Sequence, residues 1–257
     1  MSNKEWVFHT PQATDGLHKV VSPENSDLKH LVYSRLWLSE KKSCDLEATD
    51  NERGLVCLNG KATVLVNGES YTLQKNDTLY LPWHLECTVK NDAPELLDVV
   101  LIEADAFKDT EVKLIKFEEV KTDPERFEIA GSGVYARKVY TMIDQKKVDA
   151  CRLIVGLTCG NQGAWTSWPP HDHTKELEEL YLYHELPEPG FVVQICLNSF
   201  SEIDLCEVVK EGDVAIMPRG GHPTVAAPNA KSFYLWAMAA HNKEHRRTDL
   251  AKTIAPF

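Results

Sequence analysis

Basic residues are scarce in this chain. With 28 Lys and Arg against 39 Asp and Glu, the formal charge is −11, and a surface of that sign repels the phosphates of nucleic acids and anionic membranes, which select clustered cations. Long apolar runs are missing as well. No stretch approaches the roughly 20 apolar residues of a bilayer-spanning helix, and the opening Met1-Ser2-Asn3-Lys4-Glu5-Trp6 lacks the apolar centre of an export signal. The expectation is a cytoplasmic protein with neither nucleic-acid nor membrane partners. Paired cysteine motifs are absent too. Cys44, Cys57, Cys87, Cys151, Cys159, Cys196 and Cys206 are odd in number, scattered and never spaced as C-x-x-C, which argues against a disulfide framework or a thiolate zinc site and for reduced, mostly buried thiols. What the chain has in quantity is apolar material: 43% of its 257 residues are hydrophobic, enough to fill one large or two ordinary β domains.

Residues 54–66 alternate β-branched and polar side chains, Asn67-Gly68 supplies a hairpin turn, and 69–73 resume the strand pattern. Further short strands are expected at 78–82, 97–103, 180–184, 191–197, Asp213–Met217 and 233–238. Many short strands separated by turn signals indicate a sandwich or barrel. The two halves also echo each other. Asp77-Thr-Leu-Tyr-Leu-Pro82 followed by Val89 and Asp213-Val-Ala-Ile-Met-Pro218 followed by Val225 both read Asp-x4-Pro-x6-Val. Between them, 105–144 is charged and mixed, with Pro124 and a Gly131-Ser132-Gly133 break, and reads as linker, some helix and an entering strand.

Chemistry concentrates in the second half. Pro169-Pro170 biases the chain toward extended geometry ahead of His171-Asp172-His173, and in a strand residues two apart share a face, so both imidazoles can enter one cavity. Taken alone the pair is a weak signal. Glu179 then opens the run Glu-Leu-Tyr-Leu-Tyr, which as a strand sets Glu179, Tyr181 and Tyr183 on one face and Leu180 and Leu182 on the other. A third histidine, His222, follows the turn Pro218-Arg219-Gly220-Gly221. Three neutral imidazoles and one carboxylate suit one divalent ion, zinc first, with manganese, iron or nickel as alternatives, and leave a position or two for substrate. Glu178 competes with Glu179 as ligand, and Glu179 is preferred because it directly precedes the alternating aromatic strand. His241 and His245, four apart, are read as an exposed polar segment.

The spacing G-x5-H-x-H…E followed by G-x5-P-x-G-x-H resembles the two cupin motifs, with Gly163 to His171 a slightly stretched version of the first. More specifically, Trp165-Thr-Ser-Trp-Pro-Pro-His-Asp-His173, Glu178-Glu179-Leu-Tyr-Leu-Tyr183, Pro189-Gly190-Phe191-Val-Val-Gln194 and Pro218-Arg-Gly-Gly-His-Pro223 resemble the 5-deoxy-glucuronate isomerases of inositol catabolism. Those enzymes share a bicupin superfamily with the 4-deoxy-5-ketouronate isomerases of pectin breakdown. The resemblance implies an all-β chain of two cupin-type jelly-roll barrels with few short helices. Its divisions would be a metal-free N-terminal barrel over 1–110, a connecting segment over 111–145 and a metal-binding C-terminal barrel over 146–257. In the N-terminal barrel Glu86 matches His222, and no H-x-H precedes the hairpin.

The implied activity is a metal-dependent aldose–ketose isomerisation, an intramolecular oxidoreduction, of an open-chain deoxy-uronate, 5-deoxy-glucuronate first. His171, His173, Glu179 and His222 would hold the metal. Glu178 and Tyr183 are the candidate catalytic residues, with Tyr181 and Gln194 on the substrate's hydroxyls. Arg219, then Arg152, would take its carboxylate, since a guanidinium can hold that group bidentately. The only partner expected is a small sugar acid, apart from further copies of the chain in a homo-oligomer. The connection from His173 to Glu179 is shorter than the acidic insertion usual in those isomerases, so a related uronate is an alternative substrate. Other readings of the same ligand set are an iron-dependent cupin dioxygenase and a non-catalytic sugar-binding cupin.

Overall fold

A computed structural model describes residues 5–254. Among these the only α-helix is the single turn Phe117–Val120, with three short 3-10 turns, and every strand pairing is antiparallel. No described helix is long and apolar enough to cross a membrane. None of the cysteines forms a disulfide.

The strands make two double-sheet sandwiches. In the first, a six-stranded sheet ordered Lys113–Ile115, Thr78–Leu81, Asn51–Asn59, Leu97–Asp105, Val32–Leu38, Gly16–Val21 is accompanied by a four-stranded sheet built on the Ala62–Val66 and Glu69–Leu73 hairpin. In the second, a seven-stranded sheet is ordered Val7–His9, Asp213–Met217, Leu177–Tyr183, Lys231–Ala240, Leu153–Gln162, Arg137–Ile143, Phe127–Ala130. Its companion is the four-stranded sheet Trp165–Thr166, Thr224–Ala226, Val192–Ser199, Glu202–Val209. Each sandwich has its own apolar interior. A third cluster joins the outer faces of the two large sheets, with Tyr33, Val56, Val100 and Ile102 from one against Val155, Leu180, Leu182 and Leu235 from the other.

That joint explains a feature of the sequence. All seven residues of Leu177–Tyr183 are buried because period-two alternation sends Leu180 and Leu182 into the inter-barrel core and Tyr181 and Tyr183 into the second barrel. The expected hairpin turn forms, with Asn67 and Gly68 both at positive φ (51° and 77°), as a two-residue turn matched to strand twist requires.

Two expectations need correction. Residues 54–66 are two strands in different sheets, separated at Gly60. There φ is +79° and an added Cβ would lie 3.1 Å from Leu97 Cα, so the chain turns where only glycine fits. Nor do the sheets divide at residues 110 and 146. Val7–His9 pairs with Asp213–Met217 of the second barrel, Lys113–Ile115 pairs with Thr78–Leu81 of the first, and 127–143 supply two strands of the seven-stranded sheet. Both exchanges cover a sheet edge that would otherwise present unpaired backbone groups.

The echo between the halves is structural. Asp77 accepts a hydrogen bond from Gln74 N at 3.0 Å just before the strand Thr78–Leu81, and Asp213 accepts one from Lys210 N at 2.8 Å as the first residue of Asp213–Met217. The register therefore aligns the barrels residue by residue. Arg53 sits opposite Leu81, four residues after Asp77, as Glu179 sits opposite Met217, four residues after Asp213.

Candidate metal centre

Four side chains distant in sequence converge inside the second barrel. Glu179 comes from the strand Leu177–Tyr183, and His222 follows the turn after Asp213–Met217. His171 lies in a two-residue strand against Lys252–Thr253, with His173 just beyond it. One nitrogen of each of the three histidines lies within 4.8 Å of the others, close to the span that an ion bound at about 2 Å from each nitrogen bridges. Glu179 Oε2 is 3.0 Å from His173 Nε2 and 2.9 Å from His222 Nε2.

The other ring nitrogens fix the protonation pattern. Nδ1 of His171 faces Pro169 O at 3.0 Å, that of His173 faces Leu177 O at 3.4 Å, and that of His222 faces Gly220 O at 3.2 Å. A carbonyl oxygen only accepts, so each Nδ1 keeps its proton, and each Nε2, once free of any second proton, presents a lone pair to the centre. A carboxylate also only accepts. His173 meets this conflict with a hydrogen bond to Glu179, whereas buried His222 Nε2 makes none, being close to Oε2 but out of line with it. An orphaned buried nitrogen beside a buried carboxylate and two more imidazoles is a set of donors to a cation, and the residues fit a divalent ion.

The electrostatics agree. Burial, then the charge of His222, hold His171 down at about 4, so it stays a neutral ligand near pH 7. Burial alone would raise Glu179, but the charge of His222 and the hydrogen bond from His173 hold it down at about 2. Burial likewise opposes protonation of His173, and its contact with Glu179 more than offsets this, leaving it raised.

Beside the centre lies a cavity of about 200 Å³ whose lining includes His171, His173, Glu179, Tyr181, Trp236, Glu128 and Arg137. Tyr181 stacks on Tyr234 at 4.1 Å, and its hydroxyl is 2.6 Å from Ser167 Oγ. Burial, reinforced by the nearby Glu179 charge, raises its pKa well above 10.

The remaining sequence candidates lie elsewhere. Neighbours on a strand face opposite ways, and Glu178 turns from the centre to accept backbone N–H groups of Lys29, His30 and Leu31 at 2.7, 2.8 and 2.6 Å. It does not line the cavity, so the structure does not place it as the expected base. Tyr183 and Gln194 hydrogen-bond each other, and Gln194 reaches back to Ile195 O at 2.8 Å. Both are fully buried and neither lines the cavity. Arg219 is paired through two nitrogens with Asp204, 4.8 Å above the Trp6 ring. Arg152 is held by Asp105 and by the carbonyls of Ala240 and His241. Neither arginine borders the cavity. His241 is half-buried rather than exposed, its Nε2 3.2 Å from Thr174 O.

The cation that does border it, Arg137, lies in the stretch read from sequence as linker, some helix and an entering strand, and was not singled out there. The period-two pattern Arg137, Val139, Thr141, all three lining the cavity, was the signal that could have found it. Arg53 is a second residue missed. By register it is the counterpart of Glu179, and its buried guanidinium donates to Glu103 Oε1 at 3.3 Å, Leu85 O at 3.2 Å and Thr49 Oγ1 at 2.9 Å. Where the second barrel gathers ligands for a cation, the first has built one in.

A model of the KduI/IolB family matches residues 7–253. The chain is 30% identical over 250 residues to a 5-deoxy-glucuronate isomerase from Geobacillus kaustophilus, covering 90% of this chain and 87% of that one. Among solved structures it resembles an IolB-like protein from Salmonella typhimurium LT2, at TM-score 0.82 and 26% identity, over 92% of this chain and 94% of that one. A variant of Bacillus subtilis oxalate decarboxylase superposes at TM-score 0.67 and 13% identity, over 98% of this chain and 80% of that one. That second likeness speaks to fold alone, and the fold is that of the cupins.

Proposed function

Because the chain belongs to the KduI/IolB family, we propose that it is a metal-dependent aldose–ketose isomerase whose substrate is an open-chain deoxy-uronate, 5-deoxy-glucuronate first. The observation that carries the metal dependence is the convergence of His171, His173, His222 and Glu179, with one buried nitrogen lacking any hydrogen bond. Zinc is the first candidate for that donor set, with manganese, iron or nickel as alternatives.

Interconverting an aldose and a ketose breaks one C–H bond beside the carbonyl and forms one at the former carbonyl carbon, while a proton changes oxygen. Atoms and electrons balance without an external oxidant or reductant. A divalent ion held by the four ligands would supply Lewis acidity toward the carbonyl and adjacent hydroxyl oxygens. The chain's own part is to orient the substrate and handle protons. Tyr181 Oη stays protonated in its buried setting and, poised against Ser167 Oγ, is placed to donate to a substrate oxygen on which negative charge develops. The wall formed by Trp236 and Met238 limits water beside the reacting carbons, and the three backbone carbonyls on the imidazoles keep the ligands aimed.

The test is NMR of 5-deoxy-glucuronate in D2O with metal-loaded protein. Conversion to 5-dehydro-2-deoxygluconate is expected, with loss of about a hundredfold or more in Tyr181→Phe if the hydroxyl acts as general acid. No turnover by fully loaded protein would refute the proposal.

A further inference from the structure

We propose that Arg137 is the residue that binds the substrate's carboxylate and so makes the site specific for sugar acids, an assignment that rests on the isomerase reading above. Of the chain's eight arginines, Arg35, Arg53, Arg126, Arg152, Arg219 and Arg247 each have a carboxylate partner. Arg246 is bonded through Nε and Nη2 to Leu153 O and Asp144 O. Among the described residues Arg246 and Arg137 form no ion pair, and of the two only Arg137 borders the cavity lined by His171, His173 and Glu179.

Its setting is built. Nη1 donates to Trp168 O at 2.9 Å and Tyr135 O at 3.2 Å, which anchors one corner of the guanidinium to the loop that leads into His171. Gly131, at φ +73°, lets the neighbouring turn close over it, since a Cβ there would come within 2.9 Å of Nη1. No hydrogen bond from Nε or Nη2 is made to the described residues, so that edge keeps the fork that matches a carboxylate. Apart from the metal-directed His171 and His173, no other cationic side chain lines this cavity, whose carboxylates are Glu128 and Glu179. In a protein of net charge −11, an anion entering such a space needs a local cation. An open-chain uronate carries its reacting carbonyl at one end and its carboxylate at the other. The cavity matches that polarity, with metal ligands and guanidinium as separate groups in one lining.

Calorimetric titration of metal-loaded protein with 5-deoxy-glucuronate, and with its neutral counterpart bearing a hydroxymethyl group in place of the carboxylate, tests the assignment. Wild-type protein is expected to prefer the acid. Arg137→Gln is expected to weaken the acid by roughly ten- to hundredfold, with binding of the neutral sugar, metal content and melting temperature unchanged. Arg137→Lys should recover part of the preference, since it keeps the charge without the fork. Equal acid binding by wild type and Arg137→Gln overturns the assignment, as does parallel loss of both ligands or a wild type that does not distinguish them. Arg137-dependent acid binding by a protein that never isomerises the acid instead refutes the isomerase reading and leaves the carboxylate site standing.

Discussion

At the scale of single residues, what decides a group's role is which neighbours can accept or donate a proton. The adjacent pair Glu178 and Glu179 shows this: one carboxylate is satisfied by three backbone N–H groups and the other faces imidazoles. His184 shows it on the opposite side of the ledger of buried polar groups, because its Nε2 is buried without a hydrogen bond. Burial, then the charges of Arg35 and Lys75, push its pKa down to about 3. Between that value and its unfolded value near 6.5 the unfolded chain binds the proton and the folded chain does not, so stability is full above about pH 6.5 and falls as pH drops toward 3. His184→Leu is therefore expected to flatten this slope. Urea midpoints at pH 7.5 and 4.5 should show wild type losing about 2 kcal/mol more than the variant across that interval. An equal loss in both would mean that His184 is protonated in the folded protein.

At the scale of elements, the two large sheets clasp one another through matching glutamates. Glu178, on Leu177–Tyr183, accepts the N–H groups of Lys29, His30 and Leu31. Its register counterpart Glu52, on Asn51–Asn59, accepts those of Cys151, Arg152 and Leu153 at 2.6, 2.6 and 2.8 Å. Each barrel thus closes its partner's entering chain. Glu178→Ala would strand three N–H groups at a buried seam, with an expected loss of about 3 kcal/mol in chemical denaturation and metal content unchanged in the folded fraction. A variant of undiminished stability that had lost turnover would return Glu178 to catalysis.

The clasp also shows what sequence could and could not tell. Alternation along 179–183 sorted the side chains between faces, which sufficed to separate Glu179 from the apolar Leu180 and Leu182. It did not say what the face opposite Glu179 would meet, because that depends on residues 29–31, nearly 150 positions away. Arg219 misled for a similar reason. Proximity in sequence to His222 carried no information about Asp204, which claims its guanidinium on the barrel's outside. Arg137 escaped because, although an entering strand is expected somewhere in 105–144, the Gly-Ser-Gly break and high charge density hide its register, whose alternate positions face the cavity.

At the scale of the whole molecule, one fold is used twice with opposite electrostatic solutions. The repeated Asp-x4-Pro-x6-Val pattern gave the duplication away, but the exchange of Val7–His9 and Lys113–Ile115 at the sheet edges left no local trace, since any short alternating segment can cover either edge. In the second barrel Glu179 and three histidines call for a cation from solution. In the first, the corresponding position is filled by Arg53, and the chain carries its own positive charge. The account therefore requires one divalent ion per chain, not two. Elemental analysis of purified protein, alongside His171→Ala, His222→Ala and Arg53→Met variants, measures this directly. The expected result is one tightly held divalent ion in wild type and in whatever folded protein Arg53→Met yields, with near-complete loss in the two histidine variants. Full metal content after removal of His171 and His222, or a wild-type content of two ions, would contradict it.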